Sequence, residues 1–182
     1  MHVSLDGFVT GPNEEMNWII MDEEIFQDAI ELASTADAAL YGRVTYQMME
    51  SYWPTVLANP SSTKPELDHA YWVENINKIV FSKTLEKAEW NNTILIKKNI
   101  VEEMVKLKQQ PGQNMMIFGS PCLTHSFMHW DLIDEYRINI NPVVLSKGVP
   151  LFENTHDKIN LKLVETKTFH SGVVGLRYEK KK

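Results

Sequence analysis

The chain has 182 residues, of which 43% are hydrophobic and 23% are charged. These values are ordinary for one folded domain with a buried core, and they argue against extended disorder. The net charge of -6 argues against a nucleic-acid-binding surface. No apolar run approaches the roughly 20 residues that a membrane helix needs, and a single cysteine permits no intrachain disulfide. We therefore expect one domain over residues 1–182, located in the cytoplasm, with neither nucleic acid nor membrane as a partner.

Over the first two thirds of the chain, short buried strand patterns alternate with helical patterns. The strands are predicted at 1–5, 38–41, 78–82, 93–96 and 115–118, and the helices at 22–35, 44–49, 66–73, from 100 and from 121. Trp53-Pro54 is expected to end the second helix. Asn99, with Glu102 three residues later, resembles a capping box at the start of the fourth helix. This alternation favours an α/β fold with a mostly parallel central sheet.

The last third of the chain has a different pattern. Apolar and polar residues alternate over 134–141, 160–167 and 173–180, with the turn-like Ser171-Gly172 between the last two runs. Such alternation is typical of strands with one exposed face. We expect antiparallel C-terminal strands that complete the parallel sheet.

Polar or glycine-bearing breaks directly follow four of the predicted strands. They lie at 4–7, 41–46, 80–85 and 117–121. Open α/β sheets bind ligands at the carboxyl ends of their strands. Glycine lets a backbone approach a ligand closely, and a helix N-terminus with a neighbouring Arg or Lys favours phosphate. The breaks therefore predict a phosphorylated ligand, and a dinucleotide fits their number.

Six strings resemble one known family in content and order. They are SLDGF at 4–8, GRVTY at 42–46, FSKTL at 81–85, FGSPCL at 118–123, LIDE at 132–135, and PVVL at 142–145 followed by PLF at 150–152. The chain resembles the dihydrofolate reductase-like proteins, which include the reductase domain of bacterial riboflavin biosynthesis. The resemblance covers nearly the whole chain. It implies a three-layer dihydrofolate reductase-like fold, NADPH as cofactor and a small-molecule substrate.

The resemblance also implies cofactor-binding positions, which are Gly7, Gly42, Arg43, Val44, Thr45, Ser82, Lys83, Gly119, Ser120 and Leu123. The turn at 42–45 would lie under the pyrophosphate, and Ser82-Lys83 would contact the 2′-phosphate that distinguishes NADPH from NADH. Relatives usually carry two glycines where this chain has Gly119 and Ser120. Ser120 is strained if that position requires a positive φ, and otherwise adds a hydroxyl donor or a helix cap.

Near the nicotinamide end of the cofactor, we expect Asp6 to orient the substrate or to help deliver a proton. The alternative for Asp6 is a simple turn, since Asp before Gly often bonds its own backbone. An aromatic wall of Trp18, Tyr46 and Trp53, with Tyr52 beside them, would suit a flat heterocycle. The alternative for these aromatic residues is ordinary core packing.

The function implied is hydride transfer from NADPH to a C=N or C=O carbon of a pterin- or pyrimidine-like heterocycle. The alternative is a non-catalytic NADP(H)-binding protein that retained the fold. His125 and His129, even with Cys122, do not complete a zinc ligand set, so no metal is expected. The resemblance implies a homodimer formed through the late antiparallel strands. Relatives carry several more residues before the SLDG string, so the first strand is expected to be short.

Overall fold

A computed structural model describes residues 1–153 and 158–181 of the chain. Within them, the strands are β1 (His2–Ser4), β2 (Phe8–Thr10), β3 (Ala36–Gly42), β4 (Asn77–Phe81), β5 (Thr93–Ile96), β6 (Asn114–Ile117), β7 (Glu135–Asn141), β8 (Val149–Pro150), β9 (Leu161–Thr168) and β10 (Val174–Lys180). The helices are α1 (Glu23–Ala33), α2 (Arg43–Ala58), α3 (Lys64–Asn75), α4 (Ile100–Lys108) and α5 (Pro121–His129). The chain divides into two compact units, one made of Met1–Phe26 and the segment from Thr124 onward, the other of Gln27–Leu123.

The second unit contains a four-stranded parallel sheet in the order β5-β4-β3-β6. Its register pairs Gly42 with Phe81, Phe81 with Ile96, and Leu40 with Ile117. The four strands therefore end at one edge of the sheet. The polar breaks that follow β3, β4 and β6 are brought to that edge, as the sequence predicts.

The core of the second unit explains why its strands are short apolar runs. β3 and β4 are buried along most of their length, as expected when both faces of a parallel sheet are covered. Their side chains pack with residues of α2, α3 and the β4–β5 connection. This cluster of buried residues comprises Ala36, Ala39, Tyr41, Tyr46, Val73, Ile76, Val80 and Trp90.

The first unit contains a mixed sheet in the order β1-β7-β10-β9, and β2 pairs with β8 in a small separate sheet. β1 runs parallel to β7, whereas β10 is antiparallel to both β7 and β9. Along β7, Tyr136 and Ile138 are buried while Glu135 and Arg137 are only half-buried, which is the predicted alternation. The α/β class, the parallel sheet and the antiparallel C-terminal strands are thus confirmed.

Three local predictions about helices were wrong. α2 continues through Pro54 to Ala58, because packing of the helix along α3 offsets the lost hydrogen bond and the steric cost of an internal proline. Asn99 does not cap α4, since its backbone is left-handed (φ 53°) and its side chain makes no cap hydrogen bond. The capping box lies instead at Thr63 and Glu66, so α3 begins at Lys64, two residues before the predicted start.

Candidate functional site

The candidate site begins at the carboxyl edge of the parallel sheet in the second unit. The first residues after the strands are Arg43 after β3, Ser82 after β4, Lys97 after β5 and Phe118 after β6. α2, α4 and α5 all begin within four residues of these strand ends. Helix N-termini carry N–H groups without intrahelical partners, so this edge is rich in donors for an anion.

Two hydrogen bonds join the glycine turns after β3 and β6. The backbone N–H of Gly42 donates to Ser120 Oγ at 3.1 Å, and Thr45 Oγ1 donates to the carbonyl oxygen of Gly119 at 3.1 Å. Thr45 and Ser120 are both buried. The sequence predicts these two turns separately, and the structure shows that two hydrogen bonds join them. We call the pair the cross-linked turns.

Ser120 carries no left-handed strain. The positive φ of this turn falls on Gly119, at +51°, and not on Ser120. The serine therefore occupies the place of the second glycine with ordinary dihedral angles, and its hydroxyl oxygen accepts the hydrogen bond from Gly42. Of the two alternatives for this position, the structure shows the unstrained one.

Gly42 lies where a side chain would displace the hydroxyl of Ser120. A Cβ at this position would approach Ser120 Oγ to 2.7 Å, while Leu123 Cβ would be at an ordinary 3.8 Å. Gly42 is also the N-cap of α2, with φ -80° and ψ 167°, and as a glycine it makes no side-chain cap hydrogen bond. The first-turn N–H groups of α2, including those of Arg43 and Val44, thus lie beside the close approach of the two glycine turns, which we call the cradle.

The charged groups near this cradle lie at the surface. Arg43 is exposed, and its Nη1 donates to Gln47 Oε1 at 3.1 Å one turn along α2. Val44 is exposed too, at 66%. A phosphate could replace the glutamine as the partner of Arg43, because a guanidinium group binds phosphate oxygens in a fixed fork geometry.

Ser82 organises the turn after β4. Its buried Oγ accepts hydrogen bonds from the backbone N–H groups of Thr84 at 3.2 Å and Leu85 at 3.0 Å. Oγ acts as an acceptor in both bonds, so its hydrogen remains available to a ligand oxygen or to Thr84 Oγ1, 3.5 Å away. Lys83 beside it is exposed. This hydroxyl and ammonium pair suits a phosphate group.

Two exposed lysines at the same edge of the parallel sheet were not predicted as site residues. Lys97 and Lys98 follow β5, whose pairing with β4 continues through the hydrogen bond from the Ser82 N–H to the Ile96 carbonyl oxygen at 3.2 Å. They therefore follow the strand next to the one that leads to Lys83. The signal was present, since Lys97-Lys98-Asn99 is also a polar break after an apolar strand.

The residues of the proposed aromatic wall differ in how they are packed. Tyr46 is 1% exposed, its hydroxyl donates to Glu50 Oε1 at 2.9 Å, and it accepts the backbone N–H of Trp90 at 3.0 Å. These contacts favour the core alternative for Tyr46. Trp53 is half-buried, with its ring 5.1 Å from Tyr52 and 4.6 Å from His69.

In the first unit, the carboxylate of Asp6 holds two loops together. It accepts hydrogen bonds from Ser4 Oγ at 2.6 Å and from the backbone N–H groups of Leu145 at 3.1 Å and Ser146 at 2.7 Å. The hydrogen bond from Ser4, with help from the two backbone donors, lowers the pKa of Asp6. An ionised carboxylate in this setting is suited to orienting groups around it and poorly suited to donating a proton.

Gly7 and Trp18 also belong to the first unit. Gly7 has a φ of +88°, a conformation that favours glycine, and its carbonyl oxygen accepts the N–H of Leu151 at 2.8 Å. Trp18 is half-buried, and its indole Nε1 donates to the carbonyl oxygen of Glu15 at 3.1 Å. Each takes part in a hydrogen bond with a backbone group of the first unit.

Metal-binding clusters and membrane-spanning helices are absent from the part of the chain that the structure describes. The described residues contain no group of three or more His, Cys, Asp or Glu side chains arranged to hold a metal ion. His125 Nε2 lies instead within hydrogen-bond distance of the carbonyl oxygens of Pro150 (2.9 Å) and Leu151 (3.1 Å). None of the described helices combines the length and the apolar character needed to cross a bilayer.

The fold defines the class of protein. A parallel sheet with glycine turns at its strand ends and antiparallel C-terminal strands are features of the dihydrofolate reductase-like fold. The dihydrofolate reductase of Enterococcus faecalis, solved as a complex with NADP(H), matches with a TM-score of 0.62 at 13% identity, covering 100% of this chain and 94% of that one.

Within this fold class, the chain belongs to the RibD C-terminal domain family, which it matches over residues 1–175. It is 39% identical over 179 residues to the uncharacterized protein YyaP of Bacillus subtilis (strain 168), covering 97% of this chain and 90% of that protein. A Shewanella sp. PV-4 protein, provisionally named a riboflavin biosynthesis protein, has a TM-score of 0.79 at 19% identity. That match covers 100% of this chain and 97% of the Shewanella chain.

Proposed function

We propose that this chain is an NADPH-dependent reductase of a small heterocyclic substrate related to pterins or pyrimidines. The observation that carries the proposal is the pair of cross-linked glycine turns at the carboxyl edge of the parallel sheet. Gly42 and Ser120 approach closely enough that a Cβ on Gly42 would displace the serine hydroxyl, and Gly42 is the N-cap of a 16-residue helix. Such a combination suits a diphosphate, which needs close backbone approach and several N–H donors.

The residues of the second unit fit the parts of a phosphorylated dinucleotide. Gly42, the first-turn N–H groups of α2 and the Gly119–Ser120 turn would hold the pyrophosphate, with Arg43 adding positive charge and Leu123 packing beneath. Ser82 and Lys83 would bind the 2′-phosphate, and Lys97 and Lys98 would add to the positive field there. The Enterococcus faecalis enzyme bound to NADP(H) supports this assignment at the level of the fold.

When bound, NADPH would supply a hydride, and the protein would provide binding and orientation. We keep Asp6, Gly7 and Trp18 as proposed contributors on the strength of the sequence resemblance. In this proposal Asp6 acts as an ionised positioning group, because its lowered pKa and its three hydrogen-bond donors disfavour proton donation. Trp53 remains a proposed aromatic contact for the substrate, whereas Tyr46 serves the core.

A comparison of NADPH with NADH tests the cofactor. At a concentration of about 100 times Kd, NADPH should stabilise the folded chain by about 2.7 kcal/mol, an upward Tm shift of several degrees. Lys83→Gln should weaken NADPH binding by about fivefold with little effect on NADH, because the lost charge would face only the 2′-phosphate. Lys87→Gln is the matched control, since Lys87 is an exposed lysine of the same connection.

The outcomes separate the two candidate functions. If neither dinucleotide shifts the Tm at saturation, the cofactor assignment is wrong. NADPH binding followed by its oxidation in the presence of a pterin, a pyrimidine or a simple carbonyl compound supports the reductase. Binding without oxidation by any of these compounds supports a non-catalytic NADP(H)-binding protein. The single cysteine fits a cytoplasmic location for either function.

We also propose that the protein forms a homodimer through β9. This strand is at the end of the sheet order in the described first unit, and it exposes Leu163 at 49% and Val164 at 41%. Exposed edge strands with apolar side chains readily pair with another chain. Light scattering coupled to size-exclusion chromatography should give the mass of a dimer, and Leu163→Lys should give a monomer. A wild-type monomer at every concentration would contradict this proposal.

A further inference from the structure

The connection between β4 and β5, residues 82–92, carries Ser82 and Lys83 at its start. We propose that Trp90, near its other end, is a positioning residue for the 2′-phosphate contact of the cofactor. This inference rests on the proposed function, because it concerns how the protein would present Ser82 and Lys83 to NADPH.

Trp90 is tied to two helices by its two N–H groups. Its backbone N–H donates to the hydroxyl of Tyr46 on α2 at 3.0 Å, and its indole Nε1 donates to Glu74 Oε2 on α3 at 2.7 Å. The side chain is 9% exposed, and its ring centroid lies 6.2 Å from that of Tyr46. The residue therefore fixes the connection against both helices at once.

Lys78 adds a third tie at the same end. Its Nζ lies 4.5 Å from the ring centroid of Trp90 and donates to the carbonyl oxygen of Asn91 at 3.0 Å. The same ammonium donates to the carbonyl oxygens of Glu74 and Ile76, at the end of α3, at 2.9 Å and 3.1 Å. A buried ammonium with three acceptors joins the connection to the end of α3 and the start of β4.

The middle of the connection contacts the core through apolar side chains, because Leu85 and Ala88 are partly buried against the core cluster. It borders a cavity of about 400 Å³ together with α2, and the lining residues are Gln47, Glu50, Leu85, Glu86, Lys87 and Glu89. Four of these side chains end in a carboxylate or an ammonium group and would remain hydrated. The hydrogen bonds that fix the connection are therefore concentrated at its ends, which are the Ser82 turn and the Trp90 anchor.

Tyr46 gives this anchor a second connection to the proposed cofactor site. It follows Thr45 directly, and the side chain of Thr45 bonds the Gly119 carbonyl oxygen in the cross-linked turns. One turn of α2 therefore carries both the cradle and the acceptor for the Trp90 N–H. The spacing between the proposed pyrophosphate and 2′-phosphate contacts depends on this shared turn.

Trp90→Phe and Glu74→Leu both remove the indole hydrogen bond, and they test the proposal together. Each should weaken NADPH binding by about fivefold, with less than about a twofold change for NADH. Each should also speed hydrogen exchange of the amides of 82–92 in the cofactor-free protein, a readout that needs no turnover. Glu74→Gln retains an acceptor for the indole and should restore the wild-type NADPH to NADH affinity ratio.

Val73→Ala is the control for general loss of stability, because Val73 belongs to the same core cluster and lies on α3. It should lower the Tm without changing the NADPH to NADH ratio. An unchanged ratio in both Trp90→Phe and Glu74→Leu, or an equal change in Val73→Ala, would overturn the positioning role and leave the proposed function standing. A wild-type chain that binds neither dinucleotide would overturn both.

Discussion

Gly42 and Ser120 are 78 positions apart in the chain, and a single hydrogen bond joins them. The family resemblance predicts a second glycine at the position of Ser120, so the serine there needs a structural reason. The structure supplies one, because positive φ is confined to Gly119 and the serine oxygen accepts the Gly42 N–H. The serine side chain therefore helps to join the two turns.

Gly42→Ala tests this coupling at the residue scale. The new Cβ would be 2.7 Å from Ser120 Oγ, so the serine side chain must rotate and the Gly42 N–H loses its acceptor. We expect a stability loss of about 1 kcal/mol and NADPH binding weakened by about tenfold, measured by chemical denaturation and by titration.

A second substitution provides the control for this prediction. Ser120→Gly removes the atom that the new Cβ would contact, so the double variant Gly42→Ala with Ser120→Gly should regain most of the lost affinity. The two substitutions should therefore be non-additive, as residues in direct contact usually are. Strictly additive effects would show that the close approach of the two turns does not matter for binding.

At the scale of elements, two helix starts show how a cap depends on backbone conformation. Asn99 and Glu102 have the spacing of a capping box, but the left-handed backbone of Asn99 cannot direct its side chain to the helix N–H groups. Thr63 and Glu66 have the same spacing, and the extended backbone of Thr63 (φ -71°, ψ 160°) allows both reciprocal bonds. Two similar sequence signals therefore have different structural outcomes.

Thr63→Ala should lower the free energy of unfolding by about 1 kcal/mol, because it removes the acceptor for the Glu66 N–H at the start of α3. Chemical denaturation would measure the loss. Glu66→Ala should also destabilise, since the Glu66 carboxylate accepts the Thr63 N–H at 2.7 Å. Glu102→Ala is its matched control in the first turn of α4 and should have a smaller effect. Equal effects of the two glutamate substitutions would mean that only the helix dipole is involved.

At the scale of the whole molecule, a buried lysine makes stability depend on alkaline pH. Burial lowers the pKa of Lys78 from 10.5 to about 8, partly offset by Glu74. Between about pH 8 and pH 10.5, Lys78 is protonated in the unfolded chain and deprotonated in the folded chain, so the unfolded state binds more protons. Stability must then rise as pH increases through this window. Tyrosines such as Tyr136, whose pKa is raised to about 12 by burial, reverse the trend only above about pH 10.

We therefore expect the free energy of unfolding to increase between about pH 8 and pH 10, by at most about 3 kcal/mol from Lys78. Lys78→Met should remove this increase, because the variant has no proton to release there. Lys162→Met, at an exposed position on β9, should keep the wild-type increase. The same increase in all three proteins would show that Lys78 does not carry the effect.

Much of the architecture could be predicted from the sequence because it depends on local patterns. Short apolar runs such as 79–81 identify strands covered on both faces, and the alternation at 134–141 identifies a strand with one more exposed face. Both patterns arise from the period of the backbone and need no distant partner. The glycine and polar breaks at the ends of those strands follow from the same reasoning.

What the sequence determined by itself is the class of fold, the family to which the chain belongs, and the order of its helices and of its strands other than the short β2 and β8. Only the tertiary structure decided which residues meet. The bond from Gly42 to Ser120, the loop contacts of Asp6 and the anchoring of Trp90 by Tyr46 and Glu74 join residues distant in the chain. Such contacts depend on how the strands are ordered and aligned in space, and no local pattern contains that information.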